Sequence, residues 1–340
     1  MKLLVLTTSW PANAADPSGA FVAESTHYLT RHGFDCTVVA LEIAPPGALA
    51  AFESGQWHTL LAPVTRMALK AQSREFDAVL SHWLLPSAVI GASLGLPQVG
   101  VAHGGDFRLL KKYPSLKSWL VKHLDGLVAV TPEYVEDLGV KDSLLMPMGV
   151  DSSQLGPPLP MPAPEPLRLL FLGRLIPIKG LSLLIDAVTG LKGVELTIAG
   201  DGSERYLEDT APENVRFIGA VSMTERKRLF SEHHVLCLPS RPGDASPRVV
   251  AEAIASGRPV LASDLPGIRS RVPESWRVPC GNVFAWRTAI QRLKNSPAEV
   301  RPFLSPDVVD WCNLVPQFAA FQRHVFGKKK RRSLGAARWL

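Results

Sequence analysis

The chain has 340 residues, 46% of them hydrophobic and 20% charged, which allows a large buried core and favours two domains. That composition excludes a long disordered tract, and no uninterrupted apolar run approaches the length needed to cross a bilayer. A net charge of +6 and a pI of about 9.2 favour an anionic partner: a nucleotide, a phospholipid surface or a phosphorylated substrate.

The opening "MKLLVLTTSW" carries an apolar run too short for a secretory signal, and it reads as a first buried strand. Further strand-like runs follow in "CTVVAL", "DAVLSH", "QVGVAH" and "GLVAVT", several of them separated by helical stretches. That rhythm predicts a parallel sheet with crossover helices. It breaks at "SSQLGPPLPMPAPEPLR" (152–168), whose six prolines predict a semi-rigid linker without a regular element. The rhythm then restarts in "RLLFLG", "ELTIAG", "VRFIG", "VLCLPS" and "PVLAS". The expected fold class is therefore α/β: a doubly wound domain over 1–151, a linker over 152–167 and a second doubly wound domain over 168–310. A last helix over 311–327, carrying Pro316, and a basic tail over 328–340 complete the chain. Ligands of such sheets bind beyond the carboxyl ends of the strands, which here predicts a site in a cleft between the domains. Cys36, Cys237, Cys280 and Cys312 are scattered without metal-like spacing, so a reduced, cytoplasmic setting is expected.

Several strand ends carry polar residues. In "NAADPSGAFVAEST" (13–26), Gly19 would let the backbone approach a ligand. In "AHGGDFRLL" (102–110), His103 and Asp106 share a turn; His103 is either a buried, hydrogen-bonded histidine or a residue lining the site. "FRLLKKYPSLKSWLVKHL" (107–124) mixes five cations with Trp119 and leucines, divided by Pro114. It is either a solvated core helix or a basic face that rests on anionic lipid. "FLGRLIPIKG" (171–180) places Gly173 and Arg174 after a strand and Lys179 before a helix, where two cations can neutralise a diphosphate.

"RPGDASPRVVAEAIASG" (241–257) sets Asp244 and Glu252 eight positions apart. Ser246 and Pro247 read as the N-cap and first residue of a helix that Gly257 ends. Asp244 would precede that helix, and Glu252 would point back toward its start. The free N–H groups from Ala245 onward, including those of Ser246, Arg248 and Val249, would attract an anion, while the two carboxylates would suit sugar or ribose hydroxyls. The alternative is a capped amphipathic helix with a solvated glutamate.

In this order the segments resemble glycosyltransferase family 4, the retaining nucleotide-sugar transferases of GT-B architecture, such as glycogen synthase and phosphatidylinositol mannosyltransferase. The resemblance runs from Met1 to about Gly267, through "SGAFV", "HWLLPSAVIGASLGLPQVGVAHGGD", "MPMGVD", "GRLIPIKG", "IAGDG", "FIGAV" and "PSRPGDASPRVVAEAIASGRPVLAS". It implies two facing Rossmann-like domains, the first for the acceptor and the second for the nucleotide-sugar donor. It further implies that Arg174 and Lys179 hold the donor diphosphate, Glu252 the ribose, and Asp244 the transferred sugar. His103 would contact that sugar near its anomeric carbon, and Gly19 would give the diphosphate and acceptor room. The backbone at Gly219 and Val221 would flank the base. The last helix would cross back to the first domain. The family usually has Glu-Gly where this chain has "DAS", so Asp244 stands one methylene short of the usual first glutamate.

The implied activity is retaining transfer from a UDP- or GDP-linked sugar to a glycan or a lipid-linked cell-envelope acceptor. No cofactor and no metal are expected, because the sequence contains no Asp-x-Asp triplet to hold a divalent ion on the diphosphate. The expected location is the cytoplasm, with peripheral contact at the inner face of the membrane. Other readings are a UDP-sugar 2-epimerase or hydrolase of the same fold, and a catalytically silent binding or scaffolding homologue. A nucleic-acid partner is not expected, since only charge supports one.

Overall fold

The computed structural model describes all residues except 14, 15, 17, 18, 44–47, 49, 50, 52, 53, 73, 74, 159, 306–308 and 337–340, and only the backbone of 57 and 329–336. It contains two compact units, 1–147 with 311–340, and 148–310. Each is built on a six-stranded sheet whose paired strands all run parallel.

In the first unit, β1 (Lys2–Thr7), β2 (Asp35–Ala40), β3 (Ala78–His82), β4 (Gln98–Ala102), β5 (Gly126–Ala129) and β6 (Ser143–Leu145) lie in the order β2-β1-β3-β4-β5-β6. Both faces of β1 are covered, and its strict alternation divides them. Leu3 and Val5 pack with Val22 and Leu29 of α1 (Ala20–Arg31), while Leu4 and Leu6 pack with Met67 of α2 (Leu61–Gln72). This burial on both sides explains why the strand reads as a continuous apolar run. After β4 come α3 (Gly105–Lys112) and α4 (Pro114–Lys122), with Pro114 opening the second helix where its missing N–H costs nothing.

In the second unit, β7 (Leu167–Leu172), β8 (Val194–Ala199), β9 (Val215–Gly219), β10 (Val235–Leu238), β11 (Val260–Ser263) and β12 (Arg277–Val278) lie in the order β12-β11-β10-β7-β8-β9. Two of its helices begin with side-chain caps: Ser222 and Glu225 form a capping box at α5 (Met223–Glu232), and Asn282 Oδ1 accepts from Ala285 N at the start of Val283–Asn295. Ten of the twelve strands were legible as apolar runs; β6 and β12, with three and two residues, were too short to show.

The proline-rich stretch differs from the expected spacer. It opens with a helical turn over Ser152–Leu155, capped by the Asp151 carboxylate, and the remainder is strapped to its own unit. Arg258 donates to Pro160 O at 2.9 Å, and Pro158 lies against Gly257. His234 accepts from Arg168 N at 2.9 Å, so its other ring nitrogen donates to Ala163 O at the same distance. A stretch without regular structure leaves its carbonyls free, and two of them, of Pro160 and Ala163, are what Arg258 and His234 bind. The final helix, α6, spans Trp311–Ala336, so the expected basic tail continues it through residue 336. Lys, Arg, Leu and Ala favour helix strongly enough to extend it. Residues 337–340 of that tail lie outside the described residues. The helix packs within the first unit: Trp311 Nε1 donates to Glu24 Oε2 at 2.9 Å, and Val315 and Phe318 join the core. Only a glycine fits at 126, where a Cβ would come within 2.9 Å of Val325.

Candidate functional site

The strand order of the second unit reverses between β7 and β10, and open α/β sheets bind ligands outside the carboxyl ends of strands at such a reversal. The loop after β7 carries Gly173 and Arg174, and a helical turn over Pro177–Lys179 follows. Arg174 is exposed and has no side-chain partner among the described residues, and a Cβ on Gly173 would meet nothing within 4 Å. The loop after β10 carries Ser240, Arg241 and Asp244. Lys179 Nζ donates to both Asp244 oxygens at 2.9 and 2.7 Å, and Ser240 Oγ donates to one of them at 2.6 Å. The Lys179 and Asp244 side chains are only 12% and 13% exposed. The structure thus brings Lys179 and Asp244 together as an ion pair and leaves Arg174 as an open cation.

Glycines hold these loops close. A Cβ at Gly180, whose φ is +66°, would stand 2.1 Å from Pro239 O. One at Gly200 would stand 1.8 Å from Gly173 O, so "IAGDG" is a spacer that lets the loops after β7 and β8 touch. Leu175 N donates to Asp201 O, and Glu204 N donates to Leu175 O, each at 2.8 Å. Gly219, at φ +76°, ends β9, and Val221 and Val249 pack against the core of this unit.

Two local expectations are corrected. The helix after Asp244, which spans Arg248–Ala255, has Pro247 rather than Ser246 as its N-cap. Ser246 Oγ instead accepts from Nη2 of the buried Arg271 at 2.8 Å, and that guanidinium also donates to Met148 O and Gly267 O, each at 3.3 Å. Glu252 is not a solvated carboxylate: it is 1% exposed, accepts from Arg226 at 3.1 and 3.2 Å, and lies 3.4 Å from Arg248 Nε. Burial of a carboxylate requires such partners. Arg226 was not singled out in the sequence because its partner, Glu252, lies on another element, whereas Ser240, a polar residue at a strand end, binds Asp244 within its own loop. Glu204 was missed as well: burial raises its pKa, opposed by the nearby Arg241.

In the first unit the order reverses between β1 and β3. Gly19, at φ +67°, is the N-cap of α1, and a Cβ there would meet Ser9 O at 2.3 Å. The close approach it permits is therefore to the loop after β1; residues 14, 15, 17 and 18 of the expected glycine loop lie outside the described residues. His82 ends β3 and His103 follows β4, with His82 Nδ1 3.1 Å from His103 Nε2. Trp83, left-handed at φ 59°, and Phe21 place their rings 4.7 and 5.0 Å from that of His103. The buried Asp106 carboxyl accepts from the backbone N–H of Leu84, His103, Gly104 and Phe107, tying the two strand-end loops together. Burial nonetheless raises its pKa. His103 is the hydrogen-bonded histidine the sequence allowed, half-buried at a strand end.

Among the described residues no group of three His, Cys, Asp or Glu side chains is placed to hold a metal ion, and no helix is long and apolar enough to cross a membrane.

Comparison with known proteins agrees with this architecture. Residues 166–296 match the family model for glycosyl transferases group 1. A phosphatidyl-myo-inositol mannosyltransferase of Mycobacterium leprae is 37% identical over 172 residues, covering 47% of this chain and 46% of the relative. The chain thus spans about half the length of that relative. Sucrose-phosphate synthase from Thermosynechococcus elongatus superimposes with a TM-score of 0.78 at 17% identity, covering 96% of this chain and 100% of that one. Anabaena Alr3699/HepE, solved with UDP-glucose, does so with a TM-score of 0.65 at 16% identity, covering 99% and 100%. Residues 166–296 are thus similar to glycosyl transferases group 1, and the chain has the two-sheet GT-B fold of these solved structures.

Proposed function

We propose that this protein is a retaining, metal-independent glycosyltransferase that moves a sugar from a UDP- or GDP-linked donor to a glycan or lipid-linked cell-envelope acceptor. The observation that carries the reading is the open Arg174 cation beside the Lys179–Asp244 pair, at the strand-order reversal of a glycosyl transferases group 1 domain. Arg174 and Lys179 neutralise the diphosphate as it leaves. The anomeric C–O bond to phosphate breaks while the acceptor hydroxyl attacks from the same face, and a leaving phosphate oxygen takes the acceptor's proton. Asp244 binds hydroxyls of the transferring sugar, Glu252 the ribose, and His103 the sugar near its reacting carbon. Gly173, Gly219, Val221 and the backbone of Ser246, Arg248 and Val249 line the nucleotide. The relative that acts on phosphatidyl-myo-inositol and the neighbour solved with UDP-glucose support the acceptor and donor classes.

The same reading includes peripheral contact with anionic lipid at the cytoplasmic face. Support comes from α3 and α4, where exposed Tyr113 and Trp119 stand among exposed Lys111, Lys112 and Lys122. Lys117 is instead paired with Asp137 at 3.0 Å, so it contributes less.

The test is donor consumption with and without a panel of acceptors, in chelator and with added magnesium or manganese. Transfer that needs acceptor and survives EDTA supports the proposal. Consumption by water alone indicates a hydrolase, and a metal requirement overturns the charge assignment to Arg174 and Lys179. A protein that binds donors but never turns over is the silent homologue.

A further inference from the structure

The two histidines of the first unit make a pair whose protons are constrained. Their rings stack within 12° of parallel, with centroids 5.3 Å apart, and His82 Nδ1 lies 3.1 Å from His103 Nε2. At that separation one nitrogen carries a proton and the other offers its lone pair. His82 is 2% exposed, and its Nε2 is buried with no hydrogen-bond partner among the described residues.

Only two arrangements are available. If His103 Nε2 held the proton, His82 would have to carry its own on Nε2, leaving a buried N–H with nothing to receive it. If His82 Nδ1 holds the proton, Nε2 of His82 is a bare acceptor, and His103 must carry its proton on Nδ1. Orphaned buried N–H groups are rarer in folded proteins than under-used acceptors, which selects the second arrangement.

We propose that His82 is a positioning residue that locks His103 as its Nδ1–H tautomer, so that His103 offers its ligand a hydrogen-bond donor and not a basic lone pair. The ligand assignment rests on the glycosyl-transfer reading; the tautomer does not. The lock acts from beneath the sheet end: His82 sits on β3, His103 on the adjoining β4 loop, and the Trp83 and Phe21 rings confine His103 from the side. Burial pushes the His82 pKa down to about 3, and burial together with His82 holds His103 well below its usual value, so both rings stay neutral at physiological pH. An oxygen acceptor on the reacting sugar matches such a neutral donor. It also leaves the acceptor's proton to the departing phosphate, because His103 has no free nitrogen to take it.

The test is a two-bond proton–nitrogen correlation spectrum of the full chain with nitrogen-15 histidine, near pH 7.5, with His103 assigned through His103→Gln. The expected spectrum shows both His82 and His103 as Nδ1–H. In His82→Phe, His103 reverts to the Nε2–H form that prevails in water, and kcat falls about tenfold with donor KM within about twofold. In His82→Asn, whose amide nitrogen stands where Nδ1 stood, the Nδ1–H form and most of kcat are retained. His103 found as Nε2–H in the wild-type protein overturns the proposal, even if the variants fail to fold. An Nδ1–H spectrum in a protein that transfers no sugar would leave the lock standing and remove the glycosyltransferase reading instead.

Discussion

Replacing Asp244 by Asn tests the ion pair that the second unit places at its strand-order reversal. Asp244 takes both Lys179 hydrogen bonds and one from Ser240, so it neutralises the cation assigned to the donor diphosphate. A phosphate oxygen that binds Lys179 from another tetrahedral direction, at a comparable hydrogen-bond length, lies about 4.6 Å from the Asp244 carboxylate. Coulomb's law then gives a repulsion of about 0.9 kcal/mol in a water-like medium and about 3.6 kcal/mol at an effective dielectric constant of ~20. With both side chains slightly exposed, an intermediate constant of ~40 gives about 1.8 kcal/mol, or roughly twentyfold in affinity. Asp244→Asn keeps a donor and an acceptor in place and removes the charge. Isothermal titration with a nucleoside diphosphate should therefore show tighter binding, by about twentyfold at low salt and less at high salt. Sugar transfer should fall at the same time, because the contact to the sugar hydroxyls weakens. Unchanged or weaker diphosphate binding in a folded Asp244→Asn protein would refute this reasoning and make Asp244 only a strut for Lys179.

Arg174→Ala should leave stability within about 0.5 kcal/mol, since the side chain is exposed and unpartnered among the described residues, yet lower turnover about ten- to a hundredfold. Urea unfolding alongside initial rates separates the two, and a large stability loss would contradict the open-cation reading. Glu252→Gln should do the reverse of a surface change: leaving Arg226 and Arg248 short of a charge partner should cost about 2–4 kcal/mol in urea unfolding, in addition to any rise in donor KM. Acid should destabilise the fold through buried neutral histidines. The folded pKa values of His82 and His233, about 3 and about 4, lie below the unfolded value, so their stabilisation is present above about pH 6.5 and is lost as pH falls. Each should contribute a slope of about 1.4 kcal/mol per pH unit below pH 6, and a flat stability profile from pH 7 to 5 would show that these rings are not neutral and buried.

The sequence by itself determined the fold class. Apolar runs such as "KLLVLT" and "VELTIA" declare strands buried on both faces, and the glycines of "IAGDG" declare a tight turn after one of them. These are local facts, set by the period of the side chains and by φ, and they survive reading in one dimension. The proline count of 152–168 misled because it reports what the backbone cannot do, not where its free carbonyls bind; Arg258 and His234, far along the chain, decided that. The partners of the site residues were likewise decided only by the tertiary structure. Asp244 and Glu252 looked alike as two carboxylates flanking one helix. The strand order joins Asp244 to Lys179 across β7 and β10, while a neighbouring helix brings Arg226 over Glu252 and buries it. The His82–His103 pair follows from the same cause: residues 21 positions apart become neighbours because β3 and β4 lie side by side, and no spacing rule relates the ends of two adjacent parallel strands.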